Sequence, residues 1–257
     1  MIEGNTIYFV GSGPGDPELI TIKAKKLLEQ ADVIVYSGSL LNPQILAYAK
    51  DGAEFYDAST LDREKIYNIL KGSTKEGKLA IRFHDGDPGL FSTIREQIDE
   101  LERDGLQCKV VPGITAILGA AAAMNLELTL PGNTQTLIIT RAEFRTPVPD
   151  REKISELSKH GATMVFYLSV HLISDIVEEL LKGGVYTIET PTVVVYRATW
   201  EDQKIIKGTL GNIVKKTKES KIFKTALIIV GDIIAPKNYE FSKVYDAGFT
   251  HGYRRAK

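Results

Sequence analysis

Cysteine is almost absent: Cys108 is the only one in 257 residues. A single thiol can form no internal disulfide and no thiolate metal cluster, so a disulfide framework and a cysteine-rich metal site are excluded, and a reducing cytoplasm suits the chain. Long apolar runs are also missing. The longest, over 114–124, is too short and too rich in alanine and glycine to cross a bilayer. The polar start over 1–6 leads straight into a strand-like run and lacks the charged-then-apolar character of a signal peptide. There is no surplus of charge: 32 basic residues against 33 acidic ones give a formal net charge of −1, which argues against nucleic acid as a partner. Histidine is scarce, and His84, His160, His171 and His251 are too scattered for a protein-bound metal motif.

What is present is the composition of a compact globular enzyme, 43% apolar and 25% charged, long enough for either one large α/β domain or two modest ones. Short β-branched runs at 7–10, 33–36, 78–83 and 108–111 read as strands. Helical-period segments at 19–30, 43–49 and 93–103 lie between them. A small-residue helix is predicted over 116–124. Strands at 136–140, 164–168, 192–196 and 226–230 then alternate with helices near 153–158, 174–181 and 212–218. Such alternation predicts an α/β class fold of two domains with mixed, mostly parallel sheets. Pro112-Gly113 breaks the pattern, so the expected domains are 1–112 and 113–257, with the ligand cleft between them.

Gly11-Ser12-Gly13-Pro14-Gly15-Asp16 follows the first strand and precedes a helix, where a nucleotide-binding loop sits. It is not a dinucleotide fingerprint. Asp16 stands where a third glycine is required, Pro14 offers no N–H, and the second strand ends in Tyr36-Ser37-Gly38 without the acid that binds a ribose. An NAD-dependent oxidoreductase is therefore disfavoured.

Three further segments make the loop one member of a set: Gly86-Asp87-Pro88 with Phe91, 111–116 (Val-Pro-Gly-Ile-Thr-Ala), and Tyr196-Arg197-Ala198-Thr199. Their order and spacing, together with 13–17 (Gly-Pro-Gly-Asp-Pro), resemble the tetrapyrrole methylase family across nearly the whole chain. The segments 140–149 and 242–254 look like the branch of that family that methylates carbon 11 of precorrin-4 or cobalt-precorrin-4, rather than another macrocycle carbon or a diphthine precursor.

The resemblance implies S-adenosylmethionine as methyl donor, a tetrapyrrole as acceptor, and a homodimer with no protein-bound metal, nucleic acid or membrane partner. Carried over by motif, the donor contacts are Pro14, the turn of Asp85, Gly86 and Asp87, Thr115 with Ala116, Leu168, Ala198, and the pair Thr225 and Ala226. Methyl transfer is an in-line displacement that needs neither a covalent enzyme nucleophile nor a metal. Asp87 is the favoured carboxylate for the donor's cationic groups; its alternative is a turn residue.

The acceptor is rimmed with carboxylates, so cationic and N–H donors should face it: Arg141, Arg145, His251 and Arg254, with Glu143 orienting Arg141 or Arg145 by an ion pair. His84, just ahead of the Gly-Asp-Pro turn, is a further candidate to approach the substrate. No residue identifies itself as the base that accepts a proton.

Overall fold

The computed structural model describes residues 5–256, which form two compact units: residues 5–123 with Arg197–Gln203, and 124–196 with 204–256. The break falls after Ala123, not at the expected 112/113. Segment 113–123 packs with the first sheet, and the tip of a later hairpin, Arg197–Gln203, returns to the first unit.

The first unit contains β1 (Thr6–Gly11), α1 (Ile22–Leu28), β2 (Val33–Tyr36), β3 (Glu54–Asp57), α2 (Arg63–Lys75), β4 (Ala80–His84), α3 (Ile94–Arg103), β5 (Gln107–Val111) and α4 (Ala116–Ala123). Its five strands run in the order β3-β2-β4-β1-β5, all parallel. Alternate residues bury on opposite faces. Tyr8, Val10, Ile34 and Phe83 meet Leu27 and Leu28 of α1, while Ile7, Phe9, Val33 and Val35 meet Leu70 of α2 and Leu101 of α3. Two covered faces are why the central strands read as continuous apolar runs. Each such side chain contributes about 1.5–3 kcal/mol by leaving water.

Helix α1 is shorter than the predicted 19–30. Its N-cap is Thr21, whose hydroxyl accepts the Ala24 N–H at 3.1 Å, and a 3-10 turn, Pro17–Leu19, precedes it. The segment predicted over 43–49 is likewise 3-10 (Pro43–Tyr48), opened by Asn42 and Pro43.

The second unit contains β6 (Leu137–Arg141), α5 (Ile154–Leu157), β7 (Thr163–Tyr167), α6 (Ile173–Lys182), β8 (Pro191–Tyr196), β9 (Lys204–Thr209), α7 (Ile213–Glu219) and β10 (Ala226–Val230). The order is β6-β7-β10-β8-β9 around a core of Met164, Phe166, Ile176, Leu180, Val194 and Ile228. Only β6 and β7 pair in parallel here; the other three pairings are antiparallel. Parallel pairing dominates across the two sheets together, as the sequence predicts. Three elements escape the sequence reading: β3, α2 and β9.

Chain order in the first sheet locates its ligand edge. From β1 the chain crosses past β4 to β2 by way of α1 on one face, and from β4 it crosses back past β1 to β5 by way of α3 on the other, so the connections leaving adjacent β1 and β4 run over opposite faces of the sheet. Ligands of open parallel sheets sit beyond the carboxyl ends of strands at such a switch point.

Candidate functional site

Three loops meet at that edge because three residues there have no side chain. A Cβ on Gly11 would lie 2.6 Å from the Gly86 carbonyl oxygen and 2.7 Å from the Gly113 nitrogen, and one on Gly113 would overlap the same oxygen. The loops after β1 and β4 are joined by a two-way bridge, Gly13 N–H to Gly86 O at 3.1 Å and Gly86 N–H to Gly13 O at 2.9 Å. Ser12 N–H adds a bond to His84 O at 2.8 Å. Gly13 and Gly86 hold φ of +87° and +58°, which a side chain would resist. Asp87 ties in the third loop: its Oδ1 accepts the Gly89 N–H at 2.7 Å and its Oδ2 the Gly113 N–H at 2.8 Å.

The remaining first-unit candidates gather around this knot. The Gly86 Cα direction faces Thr115 and Ala116 at ordinary contact distance. Pro14 packs against Gly119 of α4, where Thr199 also approaches. Ala198 is buried, and its carbonyl lies beside Gly15. Pro14, Asp85, Gly86, Asp87, Thr115, Ala116 and Ala198 are thus brought to one edge of one sheet.

Beneath the turn, β4 carries two ionisable groups, Arg82 and His84, and Asp85 follows its last residue. Arg82 is buried, and its Nη1 donates to Val35 O at 3.1 Å and, more weakly, to Ser37 Oγ and Phe83 O at 3.4 Å each. Burial lowers its pKa to about 10, so it stays a cation. His84 is 2% exposed and stacked on Phe9 with 6.0 Å between ring centres. Burial, and then Arg82, push it down to about 3, so it is neutral. That burial corrects the expectation that His84 approaches substrate. Asp85 is raised by burial, against the pull of its own N–H and of Arg82.

In the second unit, Leu168 follows β7 and Ala226 opens β10. The antiparallel β7–β10 register, which reaches the Phe166–Ile228 pair, brings the end of β7 toward the start of β10, where Ala226 pairs with Tyr196. Leu168 and Thr225 both have positive φ, 56° and 54°, and so do Arg197 and Thr199 on either side of Ala198. Such strained residues cost about 1–3 kcal/mol each and concentrate at functional sites. Each one here is, or adjoins, an expected donor residue.

The acceptor candidates fare differently. Arg141, at the end of β6, donates through Nη1 to Thr146 O at 3.0 Å and through Nη2 to Pro147 O at 2.9 Å, so it closes the loop it was expected to project from. Arg254 does the same in the tail, donating to Val244 O at 3.0 Å, Tyr245 O at 3.4 Å and Asp246 O. Both arginines were expected to face a substrate; each donates through its Nη groups to backbone carbonyls of its own loop.

Glu143 pairs with neither Arg141 nor Arg145, contrary to expectation. It lines a cavity of about 370 Å³ with Lys153, Asp175 and Glu179. The Arg145 guanidinium lies 5.6 Å over the exposed Phe144 ring, whose edge meets His171 at 5.3 Å. His251 Nδ1 accepts the Tyr253 N–H at 3.2 Å. Arg145 therefore remains the outward-facing cation of its loop. Among the described residues, no group of three or more His, Cys, Asp or Glu side chains is placed to hold a metal ion.

Sequence reasoning placed Gly11, Gly113 and Thr199 inside motifs without giving them a role, and it did not single out Trp200; their close approach in space shows that the glycines let the loops close and that Thr199 and Trp200 meet the glycine loop.

An open parallel sheet with glycine-closed loops at its switch point, continued by a second mixed-sheet unit, defines a two-unit α/β ligand-binding protein. The chain belongs to the tetrapyrrole (corrin/porphyrin) methylase family, whose sequence pattern matches residues 6–214. It is 48% identical to the cobalt-precorrin-4 C(11)-methyltransferase of Methanocaldococcus jannaschii over 256 residues, 100% of this chain and 98% of that protein. Among solved structures, a cobalamin biosynthetic enzyme, cobalt precorrin-4 methyltransferase, superposes with a TM-score of 0.87 at 41% identity, covering 90% of this chain and 97% of the other. The uroporphyrin-III C-methyltransferase of Thermus thermophilus, complexed with S-adenyl homocysteine, gives 0.73 at 29% identity over 90% and 93% of the two chains.

Proposed function

We propose that the protein methylates carbon 11 of precorrin-4 or its cobalt-bearing form with S-adenosylmethionine, in cobalamin biosynthesis. The observation that carries this reading is the convergence of Pro14, Gly86, Asp87, Thr115, Ala116 and Ala198 on the carboxyl edge of the first sheet. The named relatives support the choice of acceptor and position.

The glycines shape this edge from within: Gly13 and Gly86, at positive φ, let the loops after β1 and β4 bridge, and Gly15 makes room for the Trp200 ring. By motif, Leu168, Thr225 and Ala226 are further donor residues in this reading. The donor supplies an electrophilic methyl on a cationic sulfur, which keeps the carbon–sulfur electron pair as the methyl leaves. The chain's own contribution is positioning, which lowers a barrier by as much as about 7–11 kcal/mol. Asp87 acts by holding the turn in shape, because both its oxygens already accept backbone N–H groups. Arg145 meets an acceptor carboxylate; Arg141 and Arg254 hold their loops.

No described helix is long and apolar enough to cross a membrane. Placement in the cytoplasm rests on the lone thiol, and the homodimer on the family resemblance; light scattering on the purified protein tests the latter. Incubation with donor and either metal-free or cobalt-loaded precorrin-4, followed by mass spectrometry, should show the gain of one methyl in at least one arm. No gain in either arm overturns the reading.

A further inference from the structure

The only tryptophan of the chain, Trp200, lies against the glycine loop from a segment 185 residues further on. A Cβ on Gly15 would overlap its indole ring, so Gly15 and Trp200 are complementary surfaces. The same turn grips the loop at the next residue, where the Asp16 N–H donates to Thr199 Oγ1 at 2.9 Å. On its other side the loop is held by Asn42, whose Nδ2 donates to the Gly15 carbonyl at 2.9 Å.

The gripping turn is itself heavily braced. Arg197 lies 4.6 Å over the Trp200 ring and pairs with Asp202 at 2.6 Å. Trp200 N–H bonds to Arg197 O at 3.0 Å, and Gln203 accepts the Thr199 N–H through its side-chain oxygen at 2.6 Å. Arg197 and Thr199 pay for this shape with positive φ of 46° and 69°. Residues stay in that region only where their surroundings over-determine it. The contacts so maintained fall on Gly15 and Asp16.

We infer that Trp200 and Thr199 are positioning residues for the methyl donor: they hold the Gly13–Asp16 backbone in its binding shape and set donor affinity without meeting the tetrapyrrole. The inference rests on the reading of the glycine loop as part of the donor site. It assigns the turn a task that packing alone would not require. A merely structural element would, on weakening, lower stability and affect both substrates together. A positioning element weakens the donor selectively.

The test uses the whole protein and S-adenosylhomocysteine as probe, with calorimetric titration, steady-state kinetics and thermal unfolding. Thr199→Val keeps shape and β-branching but removes the acceptor of the Asp16 N–H. It should weaken the probe by about twofold to tenfold, the effect of one neutral hydrogen bond, while KM for the tetrapyrrole stays unchanged. Trp200→Ala should weaken it further, and Trp200→Phe, which retains a ring against Gly15, should recover most of the loss. In the wild-type protein, probe binding should change the Trp200 emission.

If Trp200→Ala fails to fold, Thr199→Val and Trp200→Phe decide the matter. Wild-type probe affinity in Thr199→Val and Trp200→Ala, or equal losses for donor and tetrapyrrole, overturns the inference. Failure of the wild-type protein to bind the probe at all defeats the donor-site reading instead.

Discussion

Asp87 accepts the Gly113 N–H through Oδ2 at 2.8 Å, so a single carboxylate fastens the turn after β4 to the segment after β5. With Oδ1 on the Gly89 N–H, the side chain holds two backbone donors at once. Asp87→Ala should therefore cost both stability and donor affinity. Charge-assisted bonds contribute about 1.5–3 kcal/mol when shielded and less at a half-buried site, so a total loss of about 1–3 kcal/mol is expected. At about 2–4 °C per kcal/mol for a chain of this size, the thermal midpoint should fall by several degrees. Asp87→Asn should lie between the two. A midpoint unmoved by the alanine variant would show that neither bond matters.

Gly113→Ala drives a methyl group into the Gly86 carbonyl, which is backbone and cannot swing aside. Donor binding should be lost, and the fold weakened by more than about 1–3 kcal/mol, the usual cost of overpacking. Gly72→Ala is the matched control. It meets open space on helix α2 and should raise stability by about 0.5–1 kcal/mol. Calorimetric unfolding of the pair checks both signs, and a tolerated Gly113→Ala would remove the close approach as an explanation.

The pH dependence of stability should carry the mark of His84. Its folded pKa, about 3, lies below the ordinary 6.5. The folded state thus binds fewer protons in that window. The neutral ring contributes stability that is fully present above 6.5 and is lost as pH falls toward 3, at up to about 1.4 kcal/mol per pH unit. Asp85, raised by burial, acts with the opposite sign: its contribution is present at low pH and lost as pH rises through its raised value. Denaturant unfolding of wild type and His84→Gln from pH 7 to 4 should give a visibly flatter profile for the variant. Parallel profiles would mean that the ring ionises in place.

Arg145 and Arg141 should separate kinetically. Arg145→Ala removes a cation resting on Phe144 and leaves the backbone bonds of its loop intact. If it meets a shielded carboxylate, the specificity constant for the tetrapyrrole should drop about tenfold to a hundredfold, with the donor KM unaffected. Arg141→Ala releases Thr146 O and Pro147 O, so hydrogen exchange over 142–147 should quicken as well. An unchanged tetrapyrrole constant in Arg145→Ala would exclude it from the acceptor site.

These contrasts show where sequence reading reaches and where it stops. Strands β2 and β10 were legible because their residues are apolar and almost all buried, and helix α4 because it is an unbroken run of small and apolar residues after Pro112-Gly113. Strand β3 was not, since Glu54-Phe55-Tyr56-Asp57 lies at a sheet edge and is exposed or half-buried along its length. Helix α2 was missed because its polar face outweighs the few positions, such as Leu70, that bury. In the site, motif spacing found the glycine loop and the Asp87 turn. It could not tell that Arg141 and Arg254 would spend their forks on carbonyls. The sequence shows five donors on a guanidinium, but whether a carboxylate or a loop's own backbone reaches them first depends on how the chain closes.

The return of Arg197–Gln203 to the first unit has a consequence for synthesis. A ribosome releases β1 to α4 early, and a domain made of contiguous chain can fold as it emerges. The glycine loop, however, lacks its Thr199 and Trp200 contacts until about four-fifths of the polypeptide has left the exit tunnel. A nascent chain stalled before residue 197 would thus carry the first sheet with an unbraced loop, so methyl donor capture matures only as translation nears its end.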